Sequence, residues 1–184
     1  PQKIVNAMFM SVTTRTAGFN TIDLSNLSDS GTLLSLILML IGGSPGSTAG
    51  GLKTTTIAVV VIAVFSMAKG GDDINTFKRR IVSDVVKQSA VIILIYLFAV
   101  MLSSMIICSV EGLGMSQVLF ETASAAGTVG VSKGITNQIS VISKIILMIM
   151  MYGGRIGGLS LVLVFGQRKP EAPVKRPTEQ ILIG

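Results

Sequence analysis

Two short segments carry backbone chemistry, not side-chain chemistry. "TRTAGFNT" holds Thr16, Ala17 and Gly18, and "AAGTVGVSKG" holds Thr128, Val129 and Gly130. Glycine tolerates left-handed and extended backbone angles, so a Thr-x-Gly run can turn successive carbonyl oxygens toward one axis. Rings of such carbonyls replace the water shell of a potassium ion. A lone Thr-Val-Gly is common, and either copy could be an ordinary turn. A third stretch, "GGSPGSTAGGLKTTT" at 42–56, has the glycine content of a phosphate loop. Its register is wrong for that purpose: four residues lead from Gly46 to Gly51, but Leu52 follows and Lys53 comes one position late. Nucleotide binding by this loop is not expected. Arg155 is the fourth candidate, a single charge inside the apolar run 145–165.

The elements that must position these residues are membrane helices. Of 184 residues, 49% are hydrophobic and 13% are charged, more apolar surface than a soluble domain of this length can hide. Residues 30–52 and 88–110 carry no charge. Each of these runs, like 145–165, is close to the roughly 20 residues a spanning helix needs. The net charge of +6 is unevenly placed. Lys69, Lys78, Arg79, Arg80 and Lys87 lie between the first two apolar runs, and Arg168, Lys169, Lys175 and Arg176 follow the third. By the positive-inside rule this side is cytoplasmic. No aromatic residues interleave with these charges, so no nucleic-acid partner is expected. Cys108 lies alone in an apolar run and reads as packing, without disulfide or metal. There is no histidine and no paired carboxylate set, so no enzyme is expected.

The chain also repeats itself. Shifted by 112 residues, "MFMSVTTRTAGFNT" falls on "FETASAAGTVGVSK", pairing Thr16 with Thr128 and Gly18 with Gly130. Each copy begins as a short helical stretch (about 3–13 and 115–125), passes through Thr-x-Gly and a polar return, and ends in a long apolar helix beginning near Leu33 or Ile142. Eleven residues rise only about 16 Å, half a hydrocarbon core. Irregular backbone at that depth survives only where it is buried in protein or lines water. The expected order is pore loop and broken helix (1–68), basic linker (69–87), a second helix–loop–helix unit (88–166) and a cytoplasmic tail (167–184).

These motifs, with "YGGRIGGLSL", resemble the potassium transporter superfamily of Trk, Ktr and HKT proteins, and best fit the Ktr membrane subunit, KtrB. The resemblance implies an all-α integral membrane fold of helix–pore-loop–helix repeats around a pseudo-fourfold ion pore. This chain would supply repeats three and four, leaving the N-terminal half of the same protein as a partner. It further implies multi-pass insertion in the lipid of a plasma membrane (a bacterial inner membrane), a homodimer, and a cytoplasmic ring of nucleotide-binding regulatory subunits. The transported ion would be K+, passing the carbonyls of Arg15, Thr16, Ala17 and Gly18 and of Gly127, Thr128, Val129 and Gly130. No organic cofactor is expected. An alternative on the same scaffold is a transporter coupled or permeable to Na+. Serine in place of the filter glycine marks some sodium-passing relatives, and both glycines are present here.

Arg15, aligned with Gly127, should turn away from the ion path and bond backbone behind it, with Glu121 or Asp23 as compensating charges. Five glycines and a proline within ten residues exclude a helix, so Gly42, Gly43, Ser44, Pro45, Gly46, Ser47, Thr48, Ala49, Gly50 and Gly51 form a loop. It would lie inside the membrane as a gate or, more simply, as a hinge. Arg155 aligns with the loop's start and is too deep to snorkel, so it should face a cavity and donate to loop carbonyls. Gly153 and Gly157, like Gly154 and Gly158, read as close-packing notches between helices. Lys53 faces the cytoplasmic vestibule or pairs with Asp84.

Overall fold

The computed structural model describes residues 2–21, 23–70, 74–76 and 79–157. The expected tail, Lys78, Gly158 and the lower end of the last span lie outside them. Six α-helices dominate: α1 (Gln2–Thr13), α2 (Asp29–Leu40), α3 (Thr54–Ala68), α4 (Ser83–Glu111), α5 (Met115–Ala126) and α6 (Val141–Ile156). A 3₁₀ turn at Leu24–Asn26 follows α1, and a small antiparallel pair, β1 (Asn75–Thr76) with β2 (Arg79–Arg80), sits in the basic linker.

Local chemistry sets the boundaries. Ser28 caps α2, its hydroxyl accepting from the Gly31 amide at 3.2 Å, and Asp29 complements the helix dipole. The helix therefore starts at Asp29, not near Leu33. Likewise α4 begins at Ser83, so the tail of the expected linker, including Lys87, is already helical. It ends on Gly112 in the left-handed conformation (φ 64°), whose amide donates to the Cys108 carbonyl at 2.9 Å. Glu111 then accepts from the Ser140 amide (2.9 Å) and from the hydroxyls of Ser140 and Ser143, tying the end of α4 to the start of α6.

The core gathers on α5. Every residue from Phe120 to Ala126 is buried. On one side Phe120 meets Met10, Leu24, Met39, Val129 and Val131; on the other, Val118 and Ala125 meet Ile107, Ile135, Ile139 and Leu147. A buried hydroxyl pair, Ser104 to Thr122 at 2.7 Å, joins α4 to α5. Such interhelical polar contacts are typical of helices packed without water. The outer face of α4 is apolar and exposed, with Leu94 at 66% and Phe98 at 68%. Among the described helices α4 is the one long and apolar enough to cross a bilayer alone. The apolar helices α2 and α3, with 12 and 15 residues, are each shorter than that.

Candidate functional site

The Thr-x-Gly segments follow α1 and α5 directly. Among the described residues, Thr16 (φ 72°) and Thr128 (φ 54°) are the non-glycine residues with positive φ. Gly18 (φ 76°) and Gly130 (φ 88°) share the left-handed region. The four positions coincide under the 112-residue shift. A β-branched residue there is strained, and such strain persists only where its surroundings hold it. The amides of Ala17 and Gly18 turn back to the Thr13 carbonyl (3.1 Å each), and Thr128 and Val129 donate to Ala125 (3.0 Å) and Ser124 (2.9 Å). The two segments abut: a Cβ on Gly18 would come within 2.3 Å of the Val129 carbonyl oxygen.

Arg15 does not behave as expected. Its side chain is exposed and bonds to none of the described residues. Neither expected counter-charge reaches it. Asp23 caps the 3₁₀ turn, and the Ser25 amide at 3.0 Å holds its carboxyl below the usual carboxylate range. Glu121 is buried and accepts from the Thr136 hydroxyl.

The break after α2 is a closed loop. Its neck is an isolated pairing of Ile41 with Leu52, where the Gly42 amide donates to Leu52 (2.8 Å) and the Leu52 amide to Leu40 (3.1 Å). Gly42 must be glycine, since a Cβ would stand 2.1 Å from the Gly50 carbonyl oxygen. Gly46 and Gly51 supply left-handed turns at φ 80° and 74°. Between them, Ser47 folds back on the Ser44 carbonyl through its amide and its hydroxyl. Arg155 donates to the Thr48 carbonyl at 2.7 Å, as the helix register suggested. Lys53 does not pair with Asp84: its ammonium donates to Ala49 (2.6 Å) and Ser47 (3.2 Å). Two cations thus hold three consecutive loop carbonyls.

The loop also touches the second Thr-x-Gly segment. The Gly50 amide donates to Thr128 Oγ1 at 3.0 Å, and a Cβ on Gly50 would lie 2.3 Å from that oxygen. Gly127 is pressed on the Met39 carbonyl and Gly154 on the Ala126 carbonyl, where added Cβ atoms would stand at 2.6 and 1.9 Å. The notch reading of Gly154 has its contact; Gly153 meets nothing within 4 Å. Sequence reasoning passed over Lys133, which donates to Thr32 (2.7 Å) and lies 5.6 Å from the Phe120 ring centre. Its place three residues beyond Gly130 was the available signal.

Apolar helices, two abutting left-handed Thr-x-Gly turns and a glycine-rich loop held by Arg155 and Lys53 make up the candidate site. The chain belongs to the TrkH family of cation transport proteins, which matches residues 1–175. It is 38% identical over 178 residues to the Ktr system potassium uptake protein D of Bacillus subtilis, covering 97% of this chain and 40% of that protein. It is 37% identical over 194 residues to the potassium/sodium uptake protein NtpJ of Enterococcus hirae (100% and 42%), and 34% over 178 residues to the Ktr system potassium uptake protein B of Vibrio alginolyticus (97% and 39%). The chain therefore spans about 40% of the length of these relatives.

Proposed function

We propose that this chain forms half of a potassium pathway through the plasma membrane. The carbonyls of residues 15–18 and 127–130 strip and coordinate K+, and the loop 42–51 acts as the gate beneath them. The observation that carries this reading is the matched backbone: left-handed Thr16 and Gly18 in one unit, left-handed Thr128 and Gly130 in the other, in contact. Alternation between left- and right-handed residues turns neighbouring carbonyls to one side, which suits a cation. The C-terminal ends of α1 and α5 lead into these abutting segments and would add their partial negative charge there.

The remaining two sides of the ring would come from the rest of the protein. On this reading 1–68 and 88–166 are successive repeats and 69–87 and 167–184 face the cytoplasm. The chain crosses the membrane several times, pairs as a dimer and docks a nucleotide-binding regulatory ring. In the closed gate Arg155 and Lys53 place two positive charges where a cation must pass, which opposes conduction until the loop moves.

The test is alkali-cation uptake by the full-length protein in liposomes. Gly18→Ser and Gly130→Ser are expected to lower the preference for K+ over Na+. Unchanged discrimination in both would overturn the filter assignment. A second reading, Na+ coupling or permeation on the same scaffold, is favoured by the relative named for both potassium and sodium uptake. Competition between the two ions in that assay separates the readings.

A further inference from the structure

We infer a binding groove for one anionic phospholipid, running along α4 behind the loop 42–51. The inference rests on α4 crossing the membrane, and not on the filter or gate assignment. Two cavities make up the groove. The first, of about 210 Å³, lies between α4 and α6 and is walled by apolar residues, among them Ile92, Ile95, Ala99 and Ile149. The second, of about 470 Å³, lies toward the start of α4 and adds Lys53, Thr55, Thr56, Gln88 and Ser89. Gly51, Leu52 and Ile92 border both, so the two are continuous and an occupant packs on the neck of the loop.

The dimensions suit a lipid. From Val85 to Ala99 the groove follows α4 for about 21 Å, at 1.5 Å per residue. That is the depth of one leaflet, half of the roughly 40–45 Å of a bilayer with its head groups. A helix about 10–12 Å across would need roughly 1,600 Å³ or more over this length, over twice what the two cavities hold together. The apolar part opens sideways. On its rim Ile95 and Ile149 are 49% and 65% exposed, and Ile95 lies beside the exposed Leu94 and Phe98 of α4. A helix face of this kind borders acyl chains.

The polar end selects the head group. Lys53 is the one charged residue on the wall of either cavity, and no acidic residue lines them. Two of its three donors go to Ala49 and Ser47, which leaves one for a guest. Ser89 is 7% exposed, and neither its hydroxyl nor those of Thr55 and Thr56 bond to a described residue. An ammonium among unspent hydroxyls, with no acid beside it, is a donor set for phosphate oxygens. The Tyr96 hydroxyl is enclosed beside Gly51 and takes no part, so the far end offers the guest chiefly carbon. A free phosphate would leave that end empty; a phospholipid fills both.

The experiment places the full-length transporter in phosphatidylcholine vesicles containing a trace of phosphatidylglycerol with a photoreactive diazirine in its acyl chain. Labelled residues are read by mass spectrometry as unlabelled phosphatidylglycerol or phosphatidylcholine is added. Label on Ile92, Ala99 and Gly153 is expected to saturate, and to be displaced at about fivefold lower phosphatidylglycerol than phosphatidylcholine, the preference one lysine gives near an anionic lipid surface. Label on Leu94 and Phe98 should show no such preference. Gly153→Leu puts a side chain into the apolar end, where an added Cβ meets nothing within 4 Å, and should cut label on Ile92 and Ala99 by about tenfold or more. Gln88→Glu, at an exposed position, keeps the side chain's shape and should abolish the preference for phosphatidylglycerol, so the test survives if the leucine disturbs packing. No label on Ile92 and Ala99 in the native protein, as a protein segment seated in the groove would give, overturns the site. So does equal displacement by the two lipids, the mark of ordinary boundary lipid, or unchanged label in a folded Gly153→Leu. Rubidium uptake by the same vesicles reads the potassium pathway separately, so its failure leaves the labelling interpretable.

Discussion

The first unit (residues 2–68) and the second (115–157) share a backbone but not an environment. Both have a 12-residue helix that ends in a left-handed Thr and a left-handed Gly. Yet α5 is enclosed by α2, α4 and α6, with Phe120 fully buried, whereas α1 exposes Ile4 and Met8 at 68% and 67%. Both turns adopt the same left-handed pattern after a helix of the same length, the local signature of a helix end followed by Thr-x-Gly. The second helix of each unit teaches the opposite. Gly42 and Gly154 are equivalent under the shift, yet α6 continues through Gly154 while α2 has ended at Leu40 and a loop replaces the helix.

The comparison breaks most sharply if the loop is removed. Deleting Ser44 to Gly50 from the full-length protein makes the first unit more like the second. On the proposed reading, potassium flux should rise by about tenfold or more, equivalent to at least about 1.4 kcal/mol off the barrier. Unchanged flux in liposomes would reduce the loop to a hinge. Next is Gly154→Ala. Its methyl group would need to displace the Ala126 carbonyl, so thermal unfolding should show a loss of about 1–3 kcal/mol. If the variant is as stable as the native protein, the α5–α6 contact is looser than described.

Gly18→Ala and Gly130→Ala sharpen the likeness of the two turns. Both acquire the left-handed penalty of about 1–2 kcal/mol. Only at Gly18 does the new carbon also strike a neighbour, the Val129 oxygen; at Gly130 it meets nothing within 4 Å. Potassium-over-sodium selectivity, read from competitive uptake, should fall in both and further in Gly18→Ala. The smallest effects belong to the loop's cations. Arg155→Gln and Lys53→Gln each remove charge-assisted bonds from carbonyls, and flux should rise a few-fold, in keeping with about 0.5–1 kcal/mol at these partly solvated positions. A loss of flux at normal expression in Arg155→Gln would make that residue structural.

Much of the architecture was legible because it is encoded at short range. The half-helices come within a residue or two of their expected bounds, and Gly and Pro content located the break in the first unit. The starts of α2 and α4 were misplaced because both helices begin in polar residues ahead of their apolar runs: Ser28 caps α2 before Asp29, and α4 takes in Ser83, Asp84 and Lys87. The contacts that assemble the candidate site were hidden for a different reason. Gly50 and Thr128 are 78 residues apart, and Thr48 and Arg155 are 107 apart. A single sequence supplies the alignment that put Arg155 level with the loop, but it cannot say that Lys53 folds back on Ala49 or that Glu121 faces Thr136. Those depend on which way side chains turn once the helices are packed.

The amide of Gly50 rests on the hydroxyl of Thr128, with no room between them for even a methyl group. On the proposed reading, the valve leans on the sieve. Any displacement of the strap then releases a strained threonine at the narrowest point, so throughput and fidelity are a single mechanical setting. A transporter built this way should be at its most discriminating just as it begins to shut.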